Sequence, residues 1–166
     1  MRITSLKNAL TAVDFEKAPR FEEALEFIRQ NPKKTAIRHL IRRLKITRSA
    51  DVRNSIALVL SDLKAQVAVP ALITAIKDPA NVGQTGTLMF ALQQLDCEKF
   101  FMDFIDVLIH GNYENREMAL NLIEKYHKKV KRKVVAQSIA KIDAAKSELA
   151  NKLDFLDHTT KVLTQL

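Results

Sequence analysis

The sequence predicts an all-α fold: antiparallel helix pairs stacked into an α-solenoid, with a C-terminal helical cap. Three observations predict it. The chain has only 3 Gly and 4 Pro in 166 residues, whereas a β-sandwich or barrel needs a turn roughly every 8–12 residues. Apolar residues recur at i, i+3, i+4 and i+7, one face of a helix. The same apolar sets return about every 32 residues. One short helix pair cannot bury its apolar face alone, so neighbouring pairs must stack.

The elements follow in order. Residues 4–13 read as an N-terminal cap helix with Leu6, Ala9, Leu10 and Val13 facing inward. Helices over 36–46, 68–77 and 98–110 share one column set. Leu40, Ile41 and Leu44 become Leu72, Ile73 and Ile76, then Phe104, Ile105 and Leu108. Helices over 20–30, 50–63, 84–95 and 113–126 share another. Ile56, Val59, Leu60 and Leu63 become Leu88, Ala91, Leu92 and Leu95 after 32 residues, then Ala119, Leu122, Ile123 and Tyr126 after a further 31. Stepping back 32 gives Ala24, Phe27 and Ile28, then Asn31, which breaks the column. Ser49 is placed to cap the helix at 50. Pro70 sits in a first turn, where its missing N–H costs nothing. Asp78-Pro79 and Gly111-Asn112 read as stops.

These segments resemble HEAT repeats of the short bacterial and archaeal type. The resemblance rests on Val69-Pro70-Ala71-Leu72 leading to Lys77-Asp78, and on Asp51-Val52-Arg53 leading to Leu60 and Leu63. It covers residues 20–126, best over 36–126. It implies a right-handed two-layer superhelix with the helices at 20–30, 50–63, 84–95 and 113–126 lining the concave face. It also implies an Asp–Arg ladder along the stack. Asp78 fits the turn aspartate, and Arg53 and Arg116 fit the arginine, but Thr85 breaks the ladder between them. Asp51, Arg53, Asp78 and Arg116 therefore read as a structural cap and ladder set.

Residues 127–166 read as one or two helices capping the last repeat, so the whole of 1–166 is expected to form one domain. Val135, Ile142, Leu149, Leu156 and Leu163 fall seven apart, with Ile139 and Leu153 in alternate slots. That spacing suits a helix packed along its length. A homodimer through this helix is the sharper reading. Lys146 and Thr160 in the alternate slots count against a long dimeric coiled coil.

Composition bounds the function. Three glycines, at 83, 86 and 111, cannot write a P-loop or a dinucleotide fingerprint. One cysteine, Cys97, excludes an internal disulfide and a cysteine-type zinc site, and it reads as a small half-buried residue. His39, His110, His127 and His158 lie far apart, none at metal-ligand spacing. Asp103 and Asp106 share a helix, but nothing suggests a pocket beside them. No catalytic set, cofactor or metal is expected, and the chain reads as non-enzymatic. The first residues lack the apolar core of a signal peptide and no apolar run approaches membrane-spanning length, so a cytoplasmic location is expected.

The net charge of +8 is unevenly spread. Residues 1–48 carry +7, 49–95 zero, 96–126 carry −4 and 127–166 carry +5. Two candidate surfaces follow. Lys34, Arg38, Arg42 and Lys45 flank one helix, and Lys128, Lys129, Lys131, Arg132 and Lys133 form a second basic run. Both could meet phosphates or an acidic protein. Neither run contains an aromatic residue, so base stacking is poorly supported. The other surface is apolar. Leu58 and Phe90 lie 32 apart and about 200° around the helix from Ile56 and Leu88. With Met89 and Met118 they would line a groove for a protein or peptide. The expected function is a protein- or peptide-binding scaffold using this concave strip, with basic ends steering an acidic partner. The alternative is a nucleic-acid-binding module using the basic faces near 33–48 and 128–133.

Overall fold

The computed structural model describes residues 3–16 and 19–164. It is all-helical, with no strand among the described residues. Contacts divide the chain into two compact units, Met1–Phe100 and Phe101–Leu166.

The first unit holds α1 (Leu6–Phe15), α2 (Arg20–Gln30), α3 (Lys34–Ile46), α4 (Ala50–Asp62), α5 (Val69–Lys77) and α6 (Gly86–Gln93). Helices α1, α4 and α5 start where their chemistry allows. The Ser5 hydroxyl accepts from the Asn8 amide at 3.3 Å, and the Ser49 hydroxyl accepts from the Val52 amide at the same distance. Pro70 lies in the first turn of α5. Asp78 accepts from the Ala80 amide at 2.9 Å and turns the chain out of α5. Helix α1 ends on Glu16 with φ at 50°, in the left-handed region that non-glycine residues rarely occupy. From there its carboxylate pairs with Arg43 of α3.

Packing alternates along this unit. Consecutive helices pair as α1 with α2, α3 with α4, and α5 with α6. Helices α1, α3 and α5 also pack in succession, as do α2, α4 and α6. The 32-residue sequence period reappears in the polar contacts. Ser55 donates to Glu22, 33 residues away, and Arg53 to Gln84, 31 residues away. The buried Ser61 hydroxyl donates to the Ala91 carbonyl at 3.0 Å, across 30 residues. The Gln66 side chain meets the Asp96 backbone with both its oxygen and its nitrogen. Arg53 is buried. Desolvation holds its pKa below the usual arginine value, and the nearby Asp78 charge opposes that shift.

The second unit holds α7 (Phe101–His110), α8 (Tyr113–Tyr126) and α9 (Arg132–Leu163). Asn112 caps α8 by accepting from the Asn115 amide at 2.9 Å. At Gly111 an added Cβ would meet the Val107 carbonyl oxygen at 2.5 Å, so glycine is required between α7 and α8. Helix α7 packs on both α8 and α9. Phe101, Phe104, Ile105 and Val107 are buried from α7, and Ala119, Leu122 and Tyr126 from α8.

Leu60, Leu72, Ile73, Leu92, Phe104 and Ile105, all expected in the core, are buried. In α1, Ala9 and Val13 are buried while Leu6 and Leu10 are half-buried. Cys97 is fully buried rather than half-buried, and its thiol donates to the Leu92 carbonyl. The C-terminal cap differs most from expectation. It is one helix of 32 residues, and from residue 146 every described residue is exposed. The ten-residue α7 is too short to cover it.

Leu60→Ala is expected to cost about 2–5 kcal/mol in denaturant unfolding, because a fully buried leucine leaves a cavity that the stack cannot close. A loss below about 1 kcal/mol would show that the column is not core.

Candidate partner-binding surface

Helix α4 packs against α2, α3 and α6, so much of its circumference is closed. Val52, Arg53, Ile56, Ala57, Val59, Leu60 and Ser61 are all buried. Leu58 is half-buried at the edge of this packed region. It lines a groove of about 300 Å³ with Leu25, Glu22, Glu26, Arg29 and Ser55. On α6, Phe90 is 47% exposed. Both residues thus lie outside the fully buried set of their helices.

Met89 does not belong to this surface. It is fully buried, as is Ala57 in the equivalent position of α4. Lateral packing of α4 on α6 adds to the face each turns to its own hairpin partner, so the buried arc is wider than the i, i+3, i+4, i+7 set. Met118 is half-buried on α8, in the second unit.

An ion-pair clamp borders the groove, and sequence reasoning missed it. Arg29 donates to Glu26 at 2.6 Å and to Asp62 of α4 at 2.9 Å, tying α2 to α4. Gln30 donates to the other oxygen of Glu26 at 2.8 Å. The Arg29 hydrogen bond, followed by that from Gln30, holds the Glu26 carboxyl below its usual range. The signal was present, since Arg29 and Asp62 lie 33 residues apart, about one period. Around the groove Glu22, Glu26 and Asp62 outnumber Arg29, so its local charge is negative.

The basic residues separate by unit. Lys34, Arg38, Arg42 and Lys45 are exposed on α3. Acids of α1 reach this cluster. His39 Nε2 lies 2.9 Å from Asp14, and Arg42 and Arg43 are each 3.8 Å from the same carboxylate. Arg42 donates to His39 Nδ1, so Nε2 carries the hydrogen toward Asp14. Lys45 also borders an open cleft of about 740 Å³ between α3 and α5, with Arg48, Thr74 and Asp78. In the second unit Lys128, Lys129, Lys131, Arg132 and Lys133 are exposed around the start of α9. The Tyr126 ring has Lys125 at 5.2 Å and Lys129 at 5.6 Å from its centroid. Lys131, Arg132 and Lys133 stand at the positive end of the helix dipole, an unfavourable place for cations.

Among the described residues, no group of three or more His, Cys, Asp or Glu side chains gathers at metal-binding distance. No described helix is long and apolar enough to cross a membrane. No family model, curated protein or solved structure matches the chain.

The clamp has a testable signature. A depressed carboxyl pKa contributes stability that is present above the unfolded-state value and lost as pH falls through the folded one. Glu26 should therefore titrate below the ordinary glutamate range in an NMR pH series, and Arg29→Gln should raise its midpoint toward the ordinary value. An unchanged Glu26 midpoint in that variant would remove Arg29 as the cause.

Proposed function

We propose that the chain is a non-enzymatic binding module whose helix pairs stack in the HEAT manner. In this reading α2, α4 and α6 form the concave layer, and a partner helix or peptide seats against Leu58 and Phe90. The observation that carries it is positional. On a layer whose helices are otherwise closed on apolar neighbours, Phe90 stays 47% exposed, and Leu58 stays half-buried beside a groove. Folding needs no large apolar side chain at an exposed position. The acidic groove suits a partner with an apolar face flanked by basic residues, which reverses the acidic partner expected from net charge.

The nucleic-acid alternative rests on the basic side chains of α3 and of 128–133. Asp14 already neutralises part of the α3 cluster, and Glu16 pairs with Arg43 there. That leaves less free positive charge for phosphate.

Affinity capture from the native host tests the first reading. Leu58→Ser combined with Phe90→Ser should leave stability within about 1 kcal/mol and abolish capture of the protein partner. A salt series with duplex DNA tests the second, since phosphate contacts give a steep loss of affinity with salt. Steep DNA binding that is unchanged in the double variant would overturn the groove reading. Unfolding of the double variant would place Leu58 and Phe90 in the core.

A further inference from the structure

The face of α9 that packs on α7 continues past the end of its partner. At 1.5 Å per residue the 32-residue α9 is about 48 Å long, against about 15 Å for the 10 residues of α7. The covered part is defined by Ser138, which is buried and donates to Met102 Sδ at 3.2 Å, and by the Lys141–Asp106 ion pair. At 100° per residue, Leu149, Leu156 and Leu163 fall within about 20° of Ser138, and Leu153 within about 60°. These four leucines are 58–66% exposed. One apolar stripe thus runs the length of the helix, and its second half is bare.

We propose that this bare half is the interface with a second copy of the chain, paired as a short parallel coiled coil over residues 146–163. Three features select that occupant. The first is the spacing. Leu149, Leu156 and Leu163 form one heptad seam position, and Lys146, Leu153 and Thr160 form the other. The second is the charge on its margins. In a parallel pair Lys152 lies opposite Asp157 of the second copy, five residues on, and the twofold axis makes that pair twice. An antiparallel pair would instead set each margin against its own kind, Ala145, Lys152 and Thr159 on one side and Ala150, Asp157 and Thr164 on the other, so neither Lys152 nor Asp157 would face an opposite charge. The third is the polar side. Residues 146–164 carry three bases, Lys146, Lys152 and Lys161, and three acids, Glu148, Asp154 and Asp157. A helix lying on an anionic membrane needs a basic excess, which is absent here. Lys146 and Thr160 in the seam weaken the pair and favour two strands over larger bundles. Phe155 and Val162 lie roughly 100° or more off the stripe and take no part.

The seam spans little more than two heptads, so it should associate in the micromolar range. Sedimentation equilibrium on the full chain, from about 1 µM to about 1 mM, covers that range. The mass should rise from 18.8 kDa toward twice that value. Leu149→Ser with Leu156→Ser should hold the mass at 18.8 kDa, with helix content and melting midpoint matching those of the dilute, monomeric wild type, because both side chains are exposed in the single chain. A charge exchange tests orientation. Asp157→Lys should weaken association about tenfold, and adding Lys152→Asp should restore most of it. A wild-type mass of 18.8 kDa at every concentration overturns the proposal. So does a dimer that survives the double serine variant. Failure of the charge exchange to restore association overturns the parallel pairing.

Discussion

The first unit depends on one constraint: a short helix pair exposes an apolar face that only the next pair can cover. Helix α4 carries the constraint most fully. It packs on its hairpin partner α3 and on α2 and α6, the matching helices before and after it. Ile56, Val59 and Leu60 are buried as a result, with Leu88, Ala91 and Leu92 one period later. Polar groups follow the same register. The Ser61 hydroxyl finds the Ala91 carbonyl, and Gln66 finds the Asp96 backbone, each 30 residues along the chain. These bonds would be lost if a pair slipped by one residue, so apolar columns and polar links specify the same alignment.

The candidate surface is what that packing leaves over. Closing α4 on three sides consumes nearly every apolar position and brings Arg53 and Ser61 into the interior. Leu58 and Phe90 are the large apolar side chains of α4 and α6 that are not taken in this way. The Arg29 clamp to Glu26 and Asp62 then sets the electrostatic character of the groove. A chain with a net charge of +8 consequently presents an acidic groove on this layer. Net charge describes long-range steering, whereas recognition depends on the few groups beside the contact.

Much of the fold was legible because helical periodicity and repetition report burial directly. Helix positions, the Ser49 cap, Pro70 in a first turn and the stop at Gly111 all follow from local chemistry. Met89 was misread because a single-helix face cannot show lateral packing: position 57 holds a small alanine, which gave no warning that its column is closed. Asp14 and Glu16 were overlooked because their partners on α3 are 25 to 29 residues away, short of the 32-residue period. The α9 stripe was visible as a heptad spacing, but how far α7 would cover it was not. That depends on the length of α7, which Gly111 ends.

Amide hydrogen exchange in a Leu92→Ala variant would show whether α4 and α6 hold each other closed. Leu92 belongs to α6, yet α6 and α4 are held to cover each other's faces. Amides of α4, across Ala50–Asp62, should lose protection together with those of α6. Loss of protection confined to α6, with α4 unchanged, would contradict that mutual closure.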